Sequence, residues 1–93
     1  MRLTEIWRCE KFKPDSTYLY FKELFRNSGW DNVPPVAIFE KDGEYYCVDG
    51  CHRLDAAESL GYDSWISHNL VSADWVRNNT SFNPDTIKLE RLR

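Results

Sequence analysis

Cys47-Val48-Asp49-Gly50-Cys51-His52-Arg53-Leu54-Asp55-Ala56-Ala57-Glu58-Ser59-Leu60-Gly61 decides how the rest of the chain is read. A β-rich run ends at Val48, a tight polar turn follows, and an alanine-containing segment with helical spacing runs to about Leu60, with Gly61 as its cap. A helix that starts at the end of a strand leaves its first backbone N–H groups without intrahelical acceptors. Those donors and the helix dipole attract anions. Gly50 lets a phosphate approach the backbone, and His52 and Arg53 stand in the first turn, where their side chains suit the same anion.

The stretch resembles the signature of the ParB/sulfiredoxin superfamily: D-G-x-H-R, then an A-A pair and L-G. Gly50-Cys51-His52-Arg53 reads like the G-C-H-R of sulfiredoxins, and Asp49-Gly50 with His52-Arg53 matches the D-G-H-H-R of free-serine kinases in all but one position. The partition proteins usually carry G-E-R-R here. The match is strongest from Val48 to Gly61, with a looser match in element order from about Thr4 to Leu70. The resemblance implies a single α+β domain of order β-α-β-β-α-β with a short helical C-terminal tail. It also implies a nucleotide, ATP or another NTP, bound with Mg2+.

Length and composition agree with one domain: a core over residues 1–71 and a helical tail over 72–93. Four Trp, five Tyr and five Phe supply bulk for one core. No apolar run approaches a membrane span and no secretory leader is seen, so the expectation is a soluble, cytoplasmic protein. The net charge of −3 does not favour a non-specific grip on DNA. Cys9, Cys47 and Cys51 are too few for a disulfide framework. Zinc held by the three cysteines and His52 lacks the support of paired C-x-x-C knuckles.

Along the chain, Leu3 to Phe12 predicts a strand of imperfect alternation. Lys13-Pro14 breaks it, and Asp15 or Ser16 caps a helix over Thr17–Ser28 with a Tyr18/Phe21/Leu24/Phe25 stripe and Gly29 at its end. Trp30 to Pro35 is a loop. Val36–Glu40 and Glu44–Val48 form a hairpin around Asp42-Gly43. Leu54, Ala57 and Leu60 suit the sheet-facing side of the helix after it. Ser64–Leu70 is compatible with a further strand, Ser72 caps a short helix, and Asn83-Pro84-Asp85 opens a last helix to about Leu92.

Each candidate site residue carries two readings. Cys51, at a helix start near Arg and His, is a nucleophile of lowered pKa or a small residue packed under the loop. Asp49 caps the turn, or ligates magnesium or takes a proton from a substrate hydroxyl. Gly50 is required by turn geometry or faces a phosphate. His52 and Arg53 bind phosphate, or Arg53 pairs with Asp55, Asp49 or Glu58. Lys13, with Lys11, is a further candidate for the phosphate. His68 reads as packed or solvated, and Trp30, Trp65 and Trp75 are buried or stack on a base. By resemblance, Cys51 would attack a phosphorylated sulfinate as in sulfiredoxins, with His52 and Arg53 on ATP phosphates. The sequence departs from both patterns. Asp49 and Val48 stand where sulfiredoxins carry a glycine and an aromatic, and Asp15 and Ser16 follow Lys13-Pro14 where the kinases use a glutamate. The alternative to NTP-dependent phosphoryl transfer or hydrolysis is a non-enzymatic accessory module of plasmid or phage type. It would bind nucleic acid or a protein partner, with nuclease activity attributed to relatives.

Overall fold

A computed structural model describes residues 1–62 and 66–91. Strand β1 spans Ile6–Arg8, helix α1 Ser16–Ser28, β2 Val36–Lys41, β3 Glu44–Asp49, helix α2 Cys51–Ser59, β4 His68–Leu70 and helix α3 Ala73–Asn79. The expected order β-α-β-β-α-β is therefore present as a small α+β domain. The sheet runs β1-β3-β2-β4. The β2–β3 hairpin is antiparallel at its centre, and each hairpin strand takes one outer strand in parallel. Asp42 and Gly43 adopt φ of 53° and 80°, the left-handed pair that a tight hairpin turn requires.

Period-2 alternation sorts the side chains onto two buried faces. Ile6, Val36, Ile38 and Cys47 point to the face that α2 covers through Cys51 and Leu54. Phe39, Tyr46 and Val48 point to the other face, which Val76 of α3 and Ile87 of the tail cover. Helices α1 and α2 pack through Tyr18, Phe25, Ala56 and Ala57, with Leu60 beside them. Ala57 and Leu60 thus face α1 and not the sheet. Only Leu54 of that expected trio reaches the strands, because α2 is wedged between sheet and helix and its small residues are spent on the closer helix contact.

The local stop and start signals act as their chemistry dictates. The Asp15 side chain accepts from the Tyr18 N–H, and that of Ser72 from the Trp75 N–H. Gly29 closes α1 at φ 58°. Three expected elements are shorter. Leu3–Glu5 is a 3-10 turn, so the first strand keeps three residues rather than ten. The last helix is reduced to a 3-10 turn at Ile87–Glu90. There Asn83 accepts from the Asp85 N–H and Lys41 donates to the Pro84 and Asp85 carbonyls, bonds that replace helical ones. Of the expected Ser64–Leu70 strand, His68–Leu70 is strand and Ile66 and Ser67 are not, while Ser64 and Trp65 lie outside the described residues.

Candidate functional site at the turn from β3 into α2

Ala37 pairs with Asp49 and Ile38 with Cys47, so Val48 is the extra residue of a bulge just before the turn. Gly50 follows at φ 99°, ψ 24° and serves as the N-cap of α2. A Cβ there would stand 2.8 Å from Arg53 Nη2 and 2.8 Å from Val36 Cγ1, so the turn demands a glycine for space as well as for its backbone. Gly50 offers no capping side chain. Its carbonyl accepts from the Arg53 and Leu54 amides, while Cys51 and His52 supply the two opening amides of the helix, which have no helical carbonyl to bond.

Arg53 turns inward. Its Nη1 donates to the Pro34 and Pro35 carbonyls at 2.9 and 3.1 Å, and Nη2 pairs with Asp49 Oδ2 at 3.2 Å. The guanidinium carbon lies 5.7 Å from the centre of the Phe21 ring. Of the ion pairs open to Arg53, the one with Asp49 forms, leaving the Asp49 side chain 61% exposed at the mouth of the turn. Asp55 and Glu58 are taken by Arg8, at 2.9 and 3.5 Å. Burial pushes the Asp55 carboxyl above its ordinary range, against the opposing pull of Arg8.

His52 turns outward, and its Nε2 lies 3.1 Å from Asp15 Oδ2. Asp15 is held below the usual carboxylate range, first by the Tyr18 N–H and then by His52. The acid that follows Lys13-Pro14 is thus at the site. Its position within two residues of the break was the available signal, but its partner 37 residues away was not legible. Lys13 does not join the turn. With Glu10 and Lys11 it lines a cleft of about 380 Å³ that Ser81 and Phe82 complete. A second cleft, about 210 Å³, lies among Phe12, Tyr18, Asp55, Glu58 and Ser59.

Cys51 is buried, 5% exposed, with Sγ 3.9 Å from the Cys47 carbonyl oxygen. Its thiol is pulled below the ordinary value chiefly by a hydrogen bond from the Cys47 thiol, with the Cys9 N–H adding to it. Cys47 is correspondingly pushed up, by that same bond first and by burial second. Burial pushes Cys9 to about 12. Among the described residues no three His, Cys, Asp or Glu side chains are grouped to hold a metal ion. No described helix is long and apolar enough to cross a membrane.

Solved structures share this architecture. Sulfiredoxin from Arabidopsis thaliana superposes with a TM-score of 0.66 at 24% identity, over 84% of this chain and 90% of that one. The chain has a ParB/sulfiredoxin-like fold. C-terminally truncated SbnI from Staphylococcus aureus superposes at 0.64 and 19% identity, over 80% of this chain and 30% of that one. At these identities the likeness is one of fold. No protein-family model matches the chain, and no curated protein matches it by sequence.

Proposed function

We propose that this ParB/sulfiredoxin-like domain binds a nucleoside triphosphate at the Gly50–Arg53 turn and carries out NTP-dependent phosphoryl transfer or hydrolysis. One observation carries the reading: the start of α2 has no side-chain cap, and it meets the start of α1 through the His52–Asp15 contact. Two positive helix ends thus converge beside a partly exposed imidazole. A phosphate there would take the Cys51 and His52 amides and the His52 side chain. Arg53 contributes its charge from beneath while it holds the turn, and Lys13 stands apart from it, in the cleft with Lys11. Phosphoryl transfer asks the protein mainly for positioning and charge neutralisation.

A hard cation such as Mg2+ needs one or two carboxylates beside the phosphates, and Asp49 is the one carboxylate that this turn offers. Asp49 is exposed at the turn, and its Oδ1 has no protein partner among the described residues. Such a cation would supply charge neutralisation at the phosphates. Asp49 would serve as its ligand or as acceptor of a proton from a substrate hydroxyl. Cys51 is the alternative catalytic group, a nucleophile favoured by its lowered pKa and held back by its burial.

Calorimetry with ATP, CTP and ADP, each with magnesium, tests the reading. Saturable binding that His52→Ala weakens at least five-fold supports it. No heat with the unaltered chain, or equal affinity in His52→Ala, removes it. A gel shift whose affinity falls steeply with salt, in place of nucleotide binding, moves the assignment to the accessory-module reading.

A further inference from the structure

Asp55, Glu58 and Ser59 fall at i, i+3 and i+4 and so share one face of α2 at its C-terminal end. That end of a helix is the negative pole of its dipole, where a cation stabilises and a carboxylate does not. Here the order is reversed: two acids stand there, and the last turn holds no basic residue. Arg8 is the one cation paired with them among the described residues, its Nε 2.9 Å from Asp55 Oδ1 and its Nη2 3.5 Å from Glu58 Oε2. A single guanidinium against two carboxylates and a helix C-terminus leaves an excess of negative charge. That excess lines the cleft of about 210 Å³, which Phe12 and Tyr18 complete. The Asp55 side chain is only 8% exposed, yet its Oδ2 has no hydrogen-bond or ion-pair partner among the described residues. The Ser59 hydroxyl gives its proton to the Ala56 carbonyl at 2.8 Å, so its oxygen is left as an acceptor. Phe12 is 55% exposed and meets Tyr18 edge-on, with ring centres 5.0 Å apart. Lys22 Nζ lies 5.7 Å from the centre of the Tyr18 ring, so this ring already attracts a cation.

We propose that this cleft binds a primary alkylammonium group, its three N–H donors going to Asp55, Glu58 and Ser59 and its alkyl chain lying against Phe12 and Tyr18. A primary ammonium has three donors and no acceptor, which matches a wall of three acceptors. A guanidinium matches less well, because Arg8 already holds one oxygen of Asp55 and blocks the two-pronged pairing that a planar fork makes. The volume falls below the roughly 300 Å³ at which pockets for drug-sized ligands begin, and suits a short chain. An ammonium beside Asp55 would also offset the burial that raises its carboxyl pKa. A small free amine and a lysine side chain of another protein present the same group. The inference is independent of nucleotide binding, because it uses no residue of the Gly50–Arg53 turn.

Amide chemical shifts of the isotope-labelled chain, followed by NMR at neutral pH and constant ionic strength, test it. The probes are n-butylamine hydrochloride and Nα-acetyl-lysine N-methylamide; n-butanol and tetramethylammonium chloride are the controls. The expected result is saturable shifts at Phe12, Tyr18 and residues 55–59 with both primary ammonium probes and none with butanol. Glu58→Gln and Phe12→Ala alter exposed side chains and leave the fold intact. Each is expected to weaken binding by about three-fold, the scale of one exposed contact. Tighter binding of the lysine amide assigns the group to a protein side chain, and equal or weaker binding assigns it to a small free amine; both support the site. Absence of saturable shifts at these amides would overturn it. So would equal shifts with tetramethylammonium, which has no N–H, or unchanged affinity in either variant. None of the probes carries a phosphate, so a failure here leaves the nucleotide reading untouched.

Discussion

His52 Nε2 stands 3.1 Å from the Asp15 carboxylate and so joins the starts of two helices whose contact residues are 37 positions apart. Asp15 is the cap of one helix and His52 belongs to the first turn of the other. The contact places an acid and an imidazole where the helix dipoles already favour negative charge.

The contact has a pH signature. Asp15 is depressed in the fold, by the Tyr18 N–H first and His52 among the lesser causes. Its stabilisation is therefore full above the unfolded carboxylate pKa and is lost as pH falls through the folded value. Asn caps a helix about as well as Asp, so Asp15→Asn isolates the charge. Thermal melts of both proteins from neutral pH into acid are expected to differ near neutrality and to converge below pH ~4, about the pKa of an ordinary Asp. A constant offset throughout would show that the charge does not matter.

Asp55 has the opposite sign. Burial raises its folded pKa, so its contribution is fully present below the unfolded pKa and is lost as pH rises through the folded one. Removing Arg8 takes away the cation that offsets this burial. Arg8→Met is expected to lower the melting temperature more at pH 7 than at pH 4. An offset of equal size at both would refute the pairing.

Gly50→Ala combines a positive φ with two contacts of 2.8 Å. Strain and overpacking together should cost about 2–4 kcal/mol. Gly43 has φ 80° but nothing within 4 Å of a built Cβ. There alanine should cost about 1 kcal/mol, the left-handed backbone penalty alone. Urea titration checks both, and the m-value should be unchanged.

Arg53→Ala leaves the Pro34 and Pro35 carbonyls without their shared donor and Asp49 without its partner. A loss of roughly 2–4 kcal/mol is expected, given three charge-assisted bonds at a buried guanidinium. The same urea titration checks it. A loss below 0.5 kcal/mol, the usual range of a surface substitution, would show that the inward contacts carry no weight.

Cys9, pushed to about 12 by burial, should resist iodoacetamide in the folded chain at pH 8, whereas the Cys51 thiol, equally buried, is lowered. Cys51 alkylation is expected to rise with pH earlier than that of a free thiol, whose pKa is about 8.5. Peptide mass spectra taken over a pH series follow each site separately.

Much of this was legible in the residues themselves. Asp15 and Ser72 as caps, Asp42-Gly43 as a hairpin turn and Gly50 before a helix are local signals, and local chemistry satisfies them. What escaped was decided by distant partners. Nothing near Arg53 in sequence announces that its guanidinium will serve two carbonyls 18 and 19 residues earlier. Arg8 and Asp55 meet for the same reason, across the sheet register that sets Arg8 against Cys47. The expected last helix failed because side chains of the hairpin compete for its ends: Lys41 for the Pro84 and Asp85 carbonyls, Asp42 for Lys88 and Glu44 for Arg91.

Those three attachments make the C-terminal segment a clasp over the hairpin. Pro84 and Ile87 are fully enclosed beneath it, and Arg91 rests 4.4 Å from the Trp7 ring centre. Cutting the polypeptide after Asn79 would unfasten that clasp and bare Tyr46 and Phe39 to water. Such a shortened protein would self-associate through the bared face.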